Sequence, residues 1–272
     1  MLILAQFALY PALIFKTIFA IRDFRLMYGK ELGEKEERKQ LLGTVFTAII
    51  SFLAVVIFLY LSLGTYQDAK VIKSSYFFDN IQCVFWTLNI VGYILAVACF
   101  TGFLNIAGFV FWYKHDPQTP NFTASNTTQI LELTAGIKQL FSTLLTFAAL
   151  TLSISVFTTG SLFSAINTMD FIKKVTQDIG YSPLRYDCVY MYGIINTLLL
   201  LFFFIPAKLY ISNLDRELVE NGIVATAGAP EATAGKGTIF KQFLSLKDLG
   251  GILVAGSPLI ASLLQYLLDL IT

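Results

Sequence analysis

Apolar residues fall along this chain in six long runs, 1–21, 41–64, 83–112, 140–166, 188–211 and 250–271, separated by polar stretches. A helix rising about 1.5 Å per residue needs about 20 residues to cross roughly 30 Å of hydrocarbon. Every run reaches that length. The pattern therefore predicts an all-α fold, a polytopic membrane bundle of about six transmembrane helices with short helical extensions. If the last run lies at the interface, there are five. The runs take up more than half of the 272 residues, so no large soluble catalytic domain fits beside them. The first run has no basic n-region, and Pro11 and Lys16 interrupt it. It reads as a membrane helix and not as a cleavable signal peptide.

Charge placement changes the picture more than composition does. Hydrophobic residues make up 56% and charged residues 14%, against ~25% charged in soluble domains, and mean hydropathy is +0.69. The first, third and fifth loops share 13 Lys and Arg, whereas the second and fourth share 5. The positive-inside rule then puts loops 22–40, 114–138 and 212–249 in the cytoplasm and the N-terminus outside. Lys16, near the cytoplasmic end of its run, snorkels to the headgroups. Two sequons, at Asn121 and Asn126, fall in the third loop and would be modified only if that loop faced a secretory lumen. The orientation treats them as chance matches. Trp86 and Trp112 stand 26 residues apart, about 39 Å of helix, which matches the spacing of the two headgroup belts.

Between the runs the sequence predicts little beyond helix extensions and a linker. Glu31 with Lys35 and Glu34 with Arg38 pair at i,i+4, as on a solvated helix. Five acids offset six bases in that loop, which argues against nucleic acid. The fourth helix is expected to begin before the membrane does, and the fifth to continue through Asp215-Arg216-Glu217 to a stop at Gly222. Residues 1–222 thus form the bundle with its helical extensions. Residues 223–238 form a flexible Ala/Gly/Thr linker, and residues 239–272 an amphipathic C-terminal helical segment. Gly235-Lys236-Gly237-Thr238 is no phosphate loop, because Pro230 and Gly237 stand where that pattern needs Gly and Ser or Thr.

The chemistry-bearing residues argue against an enzyme. His115 is the only histidine, so neither a His-based metal site nor a Ser-His dyad has its partner, and no catalytic, cofactor or metal site is expected. Cys83 and Cys188 open their runs on the outer side. They are either a disulfide pair or two packed thiols, while Cys99 lies mid-run and packs. In the fourth run Ser142, Thr146, Ala149, Ser153, Gly160 and Ser164 share a helical face. That stripe either lines an uncharged aqueous pore or packs against another helix. Asn89, Asn105 and Asn196 are placed to bond across helices. In the last run Gly251, Ala255, Pro258, Ser262, Gln265, Tyr266 and Asp269 lie within about 100° of one another, opposite Leu253, Ile260, Leu264, Leu267 and Ile271. Such a segment lines a water path, packs on the same segment of a neighbouring subunit, or lies flat at the cytoplasmic interface.

The tail, from Phe204-Ile205-Pro206-Ala207 through Asp215-Arg216-Glu217-Leu218 to Ser257-Pro258-Leu259-Ile260-Ala261-Ser262-Leu263-Leu264, resembles uncharacterised bacterial polytopic inner-membrane proteins. The resemblance covers the last quarter of the chain and implies a bacterial inner-membrane setting; it carries over no site residues. Two functional classes follow. One is an oligomeric ion channel or pore-forming subunit, by analogy a stress or defence effector. The other is a non-conducting scaffold or adaptor in a larger complex. A transporter ranks behind both, since mid-membrane ionisable groups and paired half-helices are missing. The expected partners are membrane lipid, further copies of the chain or a membrane protein.

Overall fold

In a bilayer an apolar run must satisfy its own backbone hydrogen bonds, and a helix does this within one segment. The computed structural model describes residues 6, 9–19, 22, 34–63, 76–115, 127–170, 173–174, 177, 186–220 and 246–271. Among these, every regular element is an α-helix. In chain order they are α1 (Leu9–Phe19), α2 (Glu34–Leu63), α3 (Tyr76–His115), α4 (Thr127–Asn167), α5 (Tyr186–Glu220), α6 (Leu246–Ala255) and α7 (Ser257–Ile271).

Three stretches are long and apolar enough to cross a membrane: Ile90–Phe111, Ile130–Asn167 and Val189–Glu220. Leu9–Phe19, Gly43–Ile57 and Ser257–Leu267 are apolar but shorter, at 10–17 residues. The sequence predicts six membrane-length helices; among the described residues three meet that test. For the last run the cause is local. Pro258 has no N–H to give to the carbonyl four residues back, so 250–271 is two helices and not one. The Gly256 N–H closes α6 on the Ile252 carbonyl at 2.8 Å, and the Leu259 and Ile260 N–H groups turn to the Gly256 carbonyl, each at 3.1 Å.

Three helices are longer than a membrane crossing needs. α3 has 40 residues, α4 has 41 and α5 has 35, about 60, 60 and 50 Å at 1.5 Å per residue. The start of α4 at Thr127 and the end of α5 at Glu220 lie where the sequence extends both helices past the hydrocarbon. Pro206 sits inside α5 without ending it. Toward these ends Ile130, Leu133 and Ile137 of α4 are buried, as are Ile211, Leu214 and Leu218 of α5, and Lys138 meets Asp215 at 2.7 Å. Of the predicted loops, 22–40, 114–138 and 212–249 are described only in part. The sequons and the 223–238 linker lie outside the described residues.

The centre of the bundle is aromatic. Phe100 of α3 stacks on Phe203 of α5 with ring centroids 4.4 Å apart. Phe141 of α4 lies 5.5 Å from Phe204 and 5.4 Å from Phe103. α2 is peripheral: Val45, Phe46, Ile49, Phe52, Leu53, Ile57 and Tyr60 are exposed, while Ser51 and Val55 turn inward. That outer face suits lipid. Lys16 is exposed on α1.

Candidate functional site

The polar face of the last run is folded against the chain itself. α7 lies along α4 and α5, and two glycines make the close approach possible. A Cβ at Gly160 of α4 would run into the Gln265 side chain, with Cδ at 2.9 Å and Cγ nearer still. A Cβ at Gly193 of α5 would meet Ser262 Cβ at 2.6 Å and the Pro258 carbonyl oxygen at 3.0 Å. Hydrogen bonds accompany these seats. Ser153 and Ser257 share one at 2.8 Å, and the Leu259 N–H, partly freed by the helix break, donates to Thr197 Oγ1 at 3.0 Å. Small residues allow helix backbones to approach in just this way where lipid supplies no hydrophobic drive.

The sequence-predicted residues therefore divide. Ser153, Gly160, Ser262 and Gln265 come together at the α4–α7 and α5–α7 contacts, with Ser262 and Gln265 buried. Ser142 and Thr146 are exposed on the outer side of α4, and Ser164 is half-buried near its end. Tyr266 points away from the bundle at 47% exposure, although the helical wheel groups it with Gln265. Leu253, Ile260, Leu264 and Leu267 are exposed on the far face. The side chains of Asp269, Cys83 and Cys188 lie outside the described residues. Cys99 is a buried free thiol, 3.9 Å from Thr17 Oγ1.

Several hydroxyls of α4, in the stripe and beside it, need no water, because their own helix satisfies them. Thr146 donates to the Ser142 carbonyl at 2.9 Å, Thr151 to Phe147 at 2.7 Å and Thr159 to Ser155 at 2.8 Å. This back-bonding to the residue four earlier lets a hydroxyl stripe sit in an apolar medium.

A second polar group lies deeper and was not singled out as a site from the sequence. The Tyr93 hydroxyl of α3 donates to the Tyr192 hydroxyl of α5 at 3.3 Å, and Tyr192 pairs with Ser155 of α4 at 2.9 Å. The Tyr10 hydroxyl of α1 donates to the Thr151 carbonyl at 3.3 Å and receives the Gln6 amide at 3.0 Å. The ring of Tyr10 packs on Gly92, where a Cβ would stand 3.2 Å from it. Four helices thus meet in one buried layer of hydroxyls and amides. The buried polar side chains among the described residues are all uncharged.

Asn196, one turn along α5 from Tyr192, is fully buried, yet neither its Oδ1 nor its Nδ2 has a partner among the described residues. Gln265 Oε1 and Thr158 Oγ1 are likewise unpaired. Asn105 does bond across helices, its Oδ1 accepting the Thr47 hydroxyl at 3.3 Å. The sequence signal for the layer was a tyrosine in each of three runs, at positions 10, 93 and 192, which a count of hydrophobic residues takes as apolar filler. Among the described residues no three His, Cys, Asp or Glu side chains gather as metal ligands. No family model, curated protein or solved structure matches the chain.

Proposed function

We propose that this chain is a multi-pass integral membrane protein of the scaffold or adaptor type, acting through helix–helix contacts and without conducting. In this reading all six apolar runs sit in the bilayer, the N-terminus is outside, and the basic loops face the cytoplasm of a bacterial cell. The observation that carries it is the seating of Gln265 on Gly160 and of Ser262 on Gly193. The residues best suited to line a path are taken up by contacts with one another. The break at Gly256 and the course of α7 along α4 and α5 favour a last run inside the bundle over one lying flat on the surface. No catalytic step belongs to this reading.

A channel is the second reading, favoured by Ser142 and Thr146, polar positions of α4 that the chain leaves uncovered. Neighbouring copies facing each other across that side would bring them together. The test is the oligomeric mass of the purified protein together with planar-bilayer recording of the same sample. The scaffold reading expects a small assembly without currents. A ring-sized oligomer passing discrete currents, suppressed by Ser142→Leu or Thr146→Leu with assembly intact, would replace it with the channel.

A further inference from the structure

The seat of α7 has properties that a permanent core helix lacks. Its outer face, with Leu253 just before it and Ile260, Leu263, Leu264 and Leu267 along it, is exposed and stays in lipid whether or not the helix is docked. Docking therefore gains no hydrophobic free energy. What holds α7 is local and specific: the Ser153–Ser257 and Thr197–Leu259 hydrogen bonds and the two glycine seats. Each of these contacts lies between α6–α7 and the α4–α5 pair, so the groove recognises the segment whichever chain supplies it. Gln265 Oε1 has no partner among the described residues in the seat, and that is the same whichever copy supplies α7.

The connection to α5 leaves that choice open. Twenty-five residues, 221–245, separate Glu220 from Leu246. Extended, that length reaches about 80 Å, well over the width of a small helical bundle. A tether of this length gives an effective concentration on the order of millimolar for docking in the same chain. Confinement to one membrane plane raises the local concentration of other copies, which compete for the same groove.

We propose that the α4–α5 groove is a self-association surface, and that α6–α7 of one copy docks in the groove of another, exchanging the segment between protomers. Exchange of an identical element is a low-cost route to oligomers because it reuses contacts already made. The inference deepens the scaffold reading by naming the surface and its occupant, and it stands or falls separately from conduction.

Cysteine crosslinking of the full chain tests it, in a background with Cys83, Cys99 and Cys188 replaced by Ala. The Oγ atoms of Ser153 and Ser257 are 2.8 Å apart, so cysteines at both positions are within disulfide reach. One copy carries Ser153→Cys with one tag, the other Ser257→Cys with a second tag, and the two are co-expressed and oxidised in native membranes. The expected result is a reducible species near twice 30.3 kDa that carries both tags and is absent when either cysteine is missing. The double variant, with both cysteines in one chain, is the control for the seat. If it closes internally while the mixed copies give no two-tag species, docking is confined to one chain and the proposal is overturned. If neither forms, the seat is not occupied in the membrane, which overturns it equally. Currents in the bilayer experiment would end the scaffold reading without touching this result.

Discussion

Gly193→Val is expected to drive α7 out of its groove. At Gly193 the obstacles to a side chain are Ser262 Cβ at 2.6 Å and the Pro258 carbonyl oxygen at 3.0 Å, both carried rigidly by the helix backbone. Neither can swing aside, so α7 must move. At Gly160 the obstacles are Gln265 Cγ and Cδ, which a turn about the Cα–Cβ bond can carry aside, so Gly160→Ala is the milder change. Overpacking of this kind costs about 1–3 kcal/mol, occasionally more. The branched valine belongs near the upper end of that range, about 3 kcal/mol. Thermal unfolding in detergent and loss of the internal Ser153→Cys/Ser257→Cys crosslink report the displacement. A suppressor gives the sharper check. Ser262→Gly removes the nearer clashing atoms and leaves the Pro258 carbonyl oxygen at 3.0 Å, so combined with Gly193→Ala it should destabilise by at least ~1 kcal/mol less than the two single costs added together, even though glycine inside a helix itself costs about 1 kcal/mol. Strict additivity would mean that the two residues do not touch.

Hydropathy made the helices legible because a bilayer leaves the backbone no alternative, and the over-length of α4 and α5 was legible from the polar ends of their runs. The division of the last run was harder to see. Pro258 was visible, but two shorter helices and one kinked helix have the same composition, and the difference lies in where the freed Leu259 N–H finds its acceptor, Thr197 of α5. Tertiary partners of that kind leave no mark on a single chain's periodicity. The wheel placed Ser262 and Gln265 on one face and Ile260 and Leu264 on the other, and their burial follows that division. It misplaced Tyr266, because a stripe about 100° wide includes an edge that the narrower groove between α4 and α5 does not cover. The hydroxyl layer escaped for a different reason. A lone tyrosine hardly marks a run that is apolar on average, and only the convergence of Tyr10, Tyr93 and Tyr192 towards Thr151 and Ser155 shows that their oxygens matter.

Phe203→Ala is expected to cost far more stability than Tyr192→Phe, although the tyrosine joins the layer that ties the helices together. Removing the Tyr192 hydroxyl gives up hydrogen bonds to Tyr93 and Ser155. Interhelical hydrogen bonds in membranes average about 0.6 kcal/mol, and the two groups left behind still have hydroxyls that rotate to find other acceptors. A loss of about 1 kcal/mol is expected from two such bonds. Removing the Phe203 ring opens a cavity where it stacks on Phe100 at 4.4 Å and meets Phe202 edge-on at 5.2 Å. Phe→Ala changes in soluble cores cost about 3–5 kcal/mol. Part of that range is transfer from water, which a lipid reference state does not supply, so about 3 kcal/mol remains as lost packing. Unfolding of both variants in the same detergent measures the difference. Equal costs, or a larger one for Tyr192→Phe, would mean that the hydroxyl layer and not the aromatic layer carries the bundle, and the uncharged polar residues would then have to be stronger glue than interhelical hydrogen bonds ordinarily are.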